Sequence, residues 1–102
     1  MNLEEAIEGL REINNYLEKI SIHADMEIIT LLLSKFKEIL VLLDDTKPER
    51  EIVRISIEYI AEIEKLLADK KIYEAKMSLQ ESNNAVLMVL NSEQYMAKVL
   101  GS

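Results

Sequence analysis

Few side chains in this 102-residue sequence can do chemistry, because it contains no cysteine, no tryptophan and a single histidine, His23. His23 and Glu27 are four residues apart, so on one helix they would offer a metal ion two ligands from the same face. A metal site needs a third and a fourth ligand, and Ile20 stands where the Glu-x-x-His motif of di-iron bundles has a glutamate. The sequence therefore predicts no metal site and no cofactor, with His23 facing solvent near a helix end.

A polar cluster offers a second kind of candidate site, a pocket inside a helical bundle. The cluster consists of Asn14, Ser82, Asn83 and Asn84. Buried polar groups must find hydrogen-bond partners, so such clusters sometimes mark ligand sites. They also arise at helix boundaries and at positions that fix the register of neighbouring helices. Both interpretations stay open, and no cofactor-binding residue is assigned.

Catalytic arrangements of side chains are absent from the sequence. Asp44 and Asp45 are adjacent, and because successive side chains diverge they form neither a calcium loop nor an acid–base dyad. No glycine-rich phosphate loop and no Ser-His-Asp set can be assembled from the residues present. We expect no catalytic residue, and hence a protein that is not an enzyme.

Composition and charge limit the remaining classes of function. Hydrophobic residues make up 49% of the chain and charged residues 30%, which suits one apolar core with a solvated surface. The net charge is −7. The nearest approaches to a basic patch are two groups of lysines, and acidic residues surround both groups: Lys35 with Lys37, and Lys70 with Lys71 and Lys76. A nucleic-acid partner is therefore not expected, because phosphate binding needs a basic surface.

Two features bear on location and domain number. The uncharged stretch near the centre, Ile28 to Ser34, is seven residues long, far short of a membrane span. The first residues show no basic region followed by an apolar one, so no secretory signal is expected. We expect a soluble cytoplasmic protein with one domain over residues 1–100, followed by a linker or tag remnant at 101–102.

Apolar residues recur every three or four positions, the period of helices that bury one face. The pattern and its breaks predict helices over about residues 2–20, 25–43, 48–68 and 71–90. Asn91 and Ser92 favour a stop at Leu90 and a short fifth helix from Glu93 to Leu100, since Asn tolerates the left-handed closing position and Ser is a good N-cap. The predicted fold is all-α, an antiparallel four-helix bundle with a short fifth C-terminal helix.

Residues at the helix ends give sharper expectations. Asn2 is expected to cap the first helix, and Asp25 or Ser21 the second. Gly9 lies in the middle of the first helix at the edge of its apolar stripe, where it costs on the order of 1 kcal/mol relative to Ala. Its presence predicts the close approach of a neighbouring helix.

The break before the third helix has two interpretations. Thr46, with Glu49 three residues later, matches a capping box. Pro48 at the first helical position would instead make Lys47 the capping residue.

Several apolar residues have expected places in the bundle. Four methionines are expected to fill the core: Met26, Met77, Met88 and Met96. The tyrosines are expected at core edges with their hydroxyls in water: Tyr16, Tyr59, Tyr73 and Tyr95.

The ends of the second and fourth helices are apolar all the way round, over residues 39–43 and 85–90. A bundle buries one face of each helix, so Val41, Leu42, Leu87 or Met88 would be partly uncovered. The short fifth helix is predicted to fold back over this patch and keep the protein monomeric. A homodimer interface at the patch is the alternative.

No motif in the chain indicates a natural family. The round hundred residues from Met1 to Leu100, followed by Gly101 and Ser102, make the chain resemble a computationally generated, de novo designed helical bundle. The mid-helix Gly9 and the polar run 82–84 depart from hand-idealised designs. The resemblance implies a scaffold with no evolved biochemical function and no required partner. The alternative is a natural protein–protein interaction module that presents a helix-lined apolar groove.

Overall fold

The computed structural model describes residues 1–20 and 25–101, and every regular element within those ranges is an α-helix. The helices are α1 (Leu3–Lys19), α2 (Met26–Thr46), α3 (Glu51–Ala68) and α4 (Ile72–Leu100). The all-α prediction is confirmed, and the helices pack together as a bundle.

The helices surround one apolar core. α1 and α3 each pack against both α2 and α4, and α2 also contacts α4. The core consists of Ala6, Ile7, Leu10, Ile13, Leu17, Ile29, Leu32, Leu33, Phe36, Ile39, Leu40, Leu43, Val53, Ile60, Ile63, Leu67, Ala75, Leu79, Val86 and Leu90. The three-and-four spacing of the sequence therefore predicts most of the buried positions, although Met26 of α2 and Ile55 and Tyr59 of α3, which the spacing places inward, are exposed.

The first two helices begin where the sequence predicts. The Asn2 side chain accepts a hydrogen bond from the Glu5 backbone N–H at 2.8 Å, and the Asp25 side chain accepts one from the Glu27 N–H at 3.0 Å. These caps satisfy backbone donors that an N-terminal turn otherwise leaves unpaired. The close helix approach predicted at Gly9 is also confirmed, because a Cβ added there would lie 2.8 Å from Cδ1 of Ile39 on α2.

Neither predicted cap of the third helix is correct. Thr46 belongs to the last turn of α2, where its hydroxyl donates to the Leu42 carbonyl at 2.8 Å. Thr46 is therefore part of α2 and lies too far before Glu51 to occupy the capping position of α3. Lys47 and Pro48 lie in the turn, and α3 begins later, at Glu51, with Arg50 at the capping position and no side-chain hydrogen bond to the helix.

The predicted fifth helix is wrong, because α4 runs without a break from Ile72 to Leu100. Asn91 sits within the helix and accepts a hydrogen bond from Arg11 Nη2 at 3.4 Å. Glu93, one turn after the buried Leu90, is held by Arg50. Contacts to α1 and to the α2–α3 turn thus stabilise helical structure across the residues whose local preferences favour a stop.

The turn between α3 and α4 closes with a Schellman motif. Lys70 has φ 60°, in the left-handed region. The Lys71 N–H donates to the Leu66 carbonyl at 2.8 Å, and the Lys70 N–H donates to the Leu67 carbonyl at 3.0 Å. These bonds satisfy the last carbonyls of α3 with a lysine where glycine is usual.

The expected place of the methionines is wrong. Met26, Met77, Met88 and Met96 are all exposed, because each lies beside the buried line of its helix instead of on it. On α4 that line runs through Leu79, Asn83 and Val86, so the polar Asn83 occupies a core position.

Candidate functional site

An apolar groove runs between α1 and α2 and has a volume of about 830 Å³. We call it the α1–α2 groove. Its lining comprises Ile13, Tyr16 and Lys19 of α1, the C-cap residue Ile20, and Ile28, Leu31, Leu32, Ser34, Lys35 and Glu38 of α2.

Helical spacing brings these side chains to the same two faces. Ile13, Tyr16 and Ile20 are three and four residues apart on α1 and therefore neighbours on its surface. The buried Ile13 and Leu32 form the floor of the groove. Tyr16 and Leu31 form its walls and are 60% and 70% exposed. The groove is therefore an open trough with apolar walls.

Charged side chains stand at the rim of the groove. Lys35 Nζ lies 2.9 Å from Glu12 Oε2, and both side chains are about half exposed. An exposed pair of this kind contributes little to stability, because water screens it. Lys19 and Glu38 complete the rim, so the local charges of the two signs are mixed.

Some of the residues that line this groove could be recognised from the sequence. Leu31 lies outside the inward stripe of α2, and Ile28 begins the uncharged stretch near the centre of the chain. Tyr16 belongs to the tyrosines expected at core edges, and it stands on the groove wall. The sequence alone does not say that the surplus apolar faces of α1 and α2 adjoin each other.

The pKa of Glu93 is lowered because Glu93 forms an ion-pair cluster with Arg50 and Lys47. The side-chain hydrogen bond from Arg50 lowers the pKa of Glu93, desolvation by burial opposes that shift, and Lys47 lowers the pKa further. Lys47 Nζ lies 3.3 Å from Glu93 Oε1. The cluster joins the α2–α3 turn to α4, so its role is in holding the fold.

The polar cluster of Asn14, Ser82, Asn83 and Asn84 does not line one pocket. Asn83 is fully buried, Ser82 is half-buried and Asn84 is exposed, as the helical turn between successive residues requires. Asn83 Nδ2 donates to the Leu10 carbonyl at 2.9 Å.

Asn14 lies one turn after Leu10 and donates its Nδ2 to Glu18 Oε1 at 3.3 Å. Within the part of the chain that the structure describes, the Oδ1 atoms of Asn14 and Asn83 are both buried without a hydrogen-bond partner. Of the two interpretations of this cluster, Asn83 fits the one in which a polar residue fixes the register of neighbouring helices. If α1 and α4 paired in another register, the side-chain amide of Asn83 would be buried with no hydrogen bond.

The other candidate residues of the sequence have no ligand arrangement. His23 lies outside the described residues, and Glu27 is exposed at the start of α2. Asp44 and Asp45 lie in the last turn of α2, not in the loop where they were expected. Within residues 1–20 and 25–101 no three His, Cys, Asp or Glu side chains come together in a way that would hold a metal ion. No helix in the described part of the chain has the length and hydropathy to cross a membrane.

No protein-family model, no curated protein and no solved structure matches this chain.

Proposed function

We propose that this protein is a non-enzymatic interaction module whose α1–α2 groove binds an amphipathic helix of a partner protein. The observation that carries the proposal is the open apolar trough, with Tyr16 and Leu31 exposed above a floor of Ile13 and Leu32. Contiguous apolar surface left open on a folded protein marks interaction sites. A trough between two helices suits a third helix that inserts apolar side chains at i, i+3, i+4 and i+7.

The charge of the chain supports a basic partner helix. The net charge is −7, while the local charges at the groove rim, among them Lys35 and Glu38, largely offset each other. The field of the whole protein therefore attracts cations, which raises association rates and favours partners of opposite charge. The proposed ligand is a helix with one apolar face and lysines or arginines on the other.

Calorimetric titration with two synthetic peptides of about 18 residues tests the proposal. Both peptides carry leucines at the helical spacing, and their remaining positions are all lysine in one and all glutamate in the other. We expect the lysine peptide to bind with a Kd on the order of 10 µM and the glutamate peptide not to bind. Binding should weaken as salt is added, because salt screens the charges.

Two variants of equal charge locate the binding surface. Leu31→Glu places a carboxylate in the groove wall and should weaken binding of the lysine peptide by about tenfold. Met88→Glu places the same charge on an exposed part of α4 outside the groove and should leave the Kd unchanged. Equal Kd values for the two variants, or no binding by the unmodified chain, would refute a groove that binds helices.

The proposal includes an antiparallel arrangement of the helices, which several contacts support. Lys76 near the start of α4 donates to the carbonyl of Ile20, whereas Asn83 further along α4 donates to the carbonyl of the earlier Leu10. Residues later in α4 thus meet residues earlier in α1. The short connections between α2 and α3 and between α3 and α4 also favour neighbours that run in opposite directions.

A scaffold without an evolved function is the second candidate, and the absence of any matching family, curated protein or solved structure is compatible with it. The same titration separates the two candidates. A scaffold should bind the lysine peptide weakly and with no difference between Leu31→Glu and Met88→Glu. An interaction module should show the tenfold difference between them.

A further inference from the structure

The second half of α4 carries an apolar stripe that the rest of the bundle leaves largely uncovered. We call Ala85, Val89, Ser92, Met96 and Val99 the α4 seam. Their spacing alternates between four and three residues, the heptad pattern of a helix that packs along another helix. Val89 is 41% exposed and Met96 is 48% exposed. The spacing places all five residues along one face of α4.

Charge is depleted over the same part of α4. Between residues 82 and 100 the only charged residues are Glu93 and Lys98, although charged residues make up 30% of the chain. Glu93 is already held by Arg50, whose Nη2 lies 2.9 Å from Glu93 Oε1. Interface cores are depleted in charged residues and enriched in methionine and aromatic residues. The composition of this half of α4, with Tyr95 and Met96 exposed, is that of an interface.

The end of α4 extends past the start of α3, although α1 still lies beside it at Gln94 and Lys98. The 29 residues of α4 span about 43 Å, close to the 48 Å long axis of the molecule. α3 begins at Glu51, and the turn before it meets α4 at Glu93 through Arg50. Ala97, two turns after the buried Leu90 on the same side of the helix, is exposed.

We propose that the α4 seam is the interface of a homodimer in which two α4 helices pack antiparallel about Ser92. The seam complements itself in that arrangement. Ala85 faces Val99 of the partner subunit, Val89 faces Met96 of the partner subunit, and the two Ser92 side chains meet at the twofold axis. The smallest pair, the two Ser92 side chains, lies where the helices come closest, and the larger Val89 and Met96 lie on either side of it. A patch that pairs with its own copy in this way is the defining property of a twofold interface.

The mass of the protein as a function of concentration tests the proposal. Because the seam is short, we expect a Kd in the micromolar range, with the 11.8 kDa monomer at about 1 µM and the dimer at about 100 µM in sedimentation equilibrium. Met96→Glu should stay monomeric at both concentrations. Met77→Glu, a matched change at an exposed methionine of α4 outside the seam, should dimerise as the unmodified chain does. An unmodified chain that is monomeric at 100 µM, or a Met96→Glu variant that still dimerises, overturns the proposal.

Cysteine crosslinking tests the register of the two helices. The chain has no cysteine, so Ser92→Cys introduces a single thiol. In the proposed dimer the two thiols meet at the twofold axis, and mild oxidation should give a disulfide-linked dimer. Asn84→Cys is the control, because Asn84 is exposed on α4 and is not part of the seam. Crosslinking of Asn84→Cys as fast as Ser92→Cys would exclude this register.

The homodimer proposal is independent of the proposed helix binding, because the α4 seam and the α1–α2 groove share no residue. Either proposal can therefore fail without the other.

Discussion

Arg50 and Glu93 form a two-point ion pair that joins the α2–α3 turn to α4. Arg50 Nε donates to Glu93 Oε2 and Arg50 Nη2 donates to Glu93 Oε1, each at 2.9 Å. The side chain of Arg50 is 9% exposed and that of Glu93 27% exposed. Two parallel bonds fix both the distance and the orientation of the partners. The pair therefore holds α4 in place one turn past Leu90, where the local sequence favours a helix stop.

Replacing Glu93 with Gln should lower the free energy of unfolding at neutral pH by about 1 kcal/mol, because the partially exposed ion pairs of Glu93 with Arg50 and Lys47 are lost. The pKa of Glu93 is lowered in the folded state, so the carboxylate stabilises the fold above its unfolded-state pKa. That contribution is lost as the pH falls through the folded-state pKa. Urea denaturation across the acidic range measures both effects.

The matched control for this prediction is Glu62→Gln on α3, where Glu62 is exposed. Glu62→Gln should leave the free energy of unfolding within about 0.5 kcal/mol of the unmodified value. The difference between the unmodified chain and Glu93→Gln should shrink as the pH is lowered. A difference that stays constant with pH would show that Glu93 acts through packing and not through its charge.

The sequence predicted most of the fold because the apolar period is local information. The caps at Asn2 and Asp25 and the close approach at Gly9 depend on one helix and its immediate surroundings, and all three are confirmed. The length of α4 depends on contacts that are distant in sequence. Nothing local to Glu93 reveals that Arg50 holds it, so the fifth helix was predicted where α4 continues.

The candidate groove was predictable only in part. Leu31 is visibly apolar beyond one helix face, but Tyr16 lies on another helix, and their proximity depends on how α1 and α2 pack. The sequence does not predict the exposure of Met96 for a related reason. A spacing pattern gives the relative directions of side chains on α4, but where apolar residues stand on several faces it does not say which face the neighbouring helices cover.

The contact between Gly9 and Ile39 predicts a coupled pair of substitutions. Gly9→Ala gains about 1 kcal/mol of helix propensity, but its Cβ would lie 2.8 Å from Ile39 Cδ1 and must displace it. We expect these effects to cancel to within about 0.5 kcal/mol. Ile39→Val removes Cδ1, so in that background Gly9→Ala should stabilise by the full amount of about 1 kcal/mol. Urea denaturation of the unmodified chain, the two single variants and the double variant gives the coupling free energy between positions 9 and 39. An equal effect of Gly9→Ala in both backgrounds would contradict the prediction.

The left-handed Lys70 predicts a stabilising substitution. Lys70→Gly removes a Cβ that is unfavourable at φ 60° by about 1–2 kcal/mol, and the greater flexibility of unfolded glycine offsets part of that gain. The free energy of unfolding should rise by about 0.5–1 kcal/mol. Lys65→Gly is the control, because Lys65 lies within α3, where glycine lowers stability by about 1 kcal/mol relative to alanine. The prediction fails if the Lys65 variant is as stable as the Lys70 variant.

Removing residues 95–102 distinguishes the projecting end of α4 from the lid that the sequence predicted. A lid that covered apolar surface would leave the shortened chain less stable and prone to associate. In the structure Tyr95, Met96 and Leu100 are exposed, and Glu93 with its ion pair is retained by this truncation. We expect the shortened chain at about 1 µM to keep the free energy of unfolding of the full chain to within about 1 kcal/mol.

The melting temperature of the two chains should depend differently on concentration. The full chain should melt at a higher temperature at about 100 µM than at about 1 µM, because dimerisation stabilises the folded state by mass action. The shortened chain should melt at the same temperature at both concentrations. Association of the shortened chain, with a large loss of stability at low concentration, would instead show that the last residues cover the bundle.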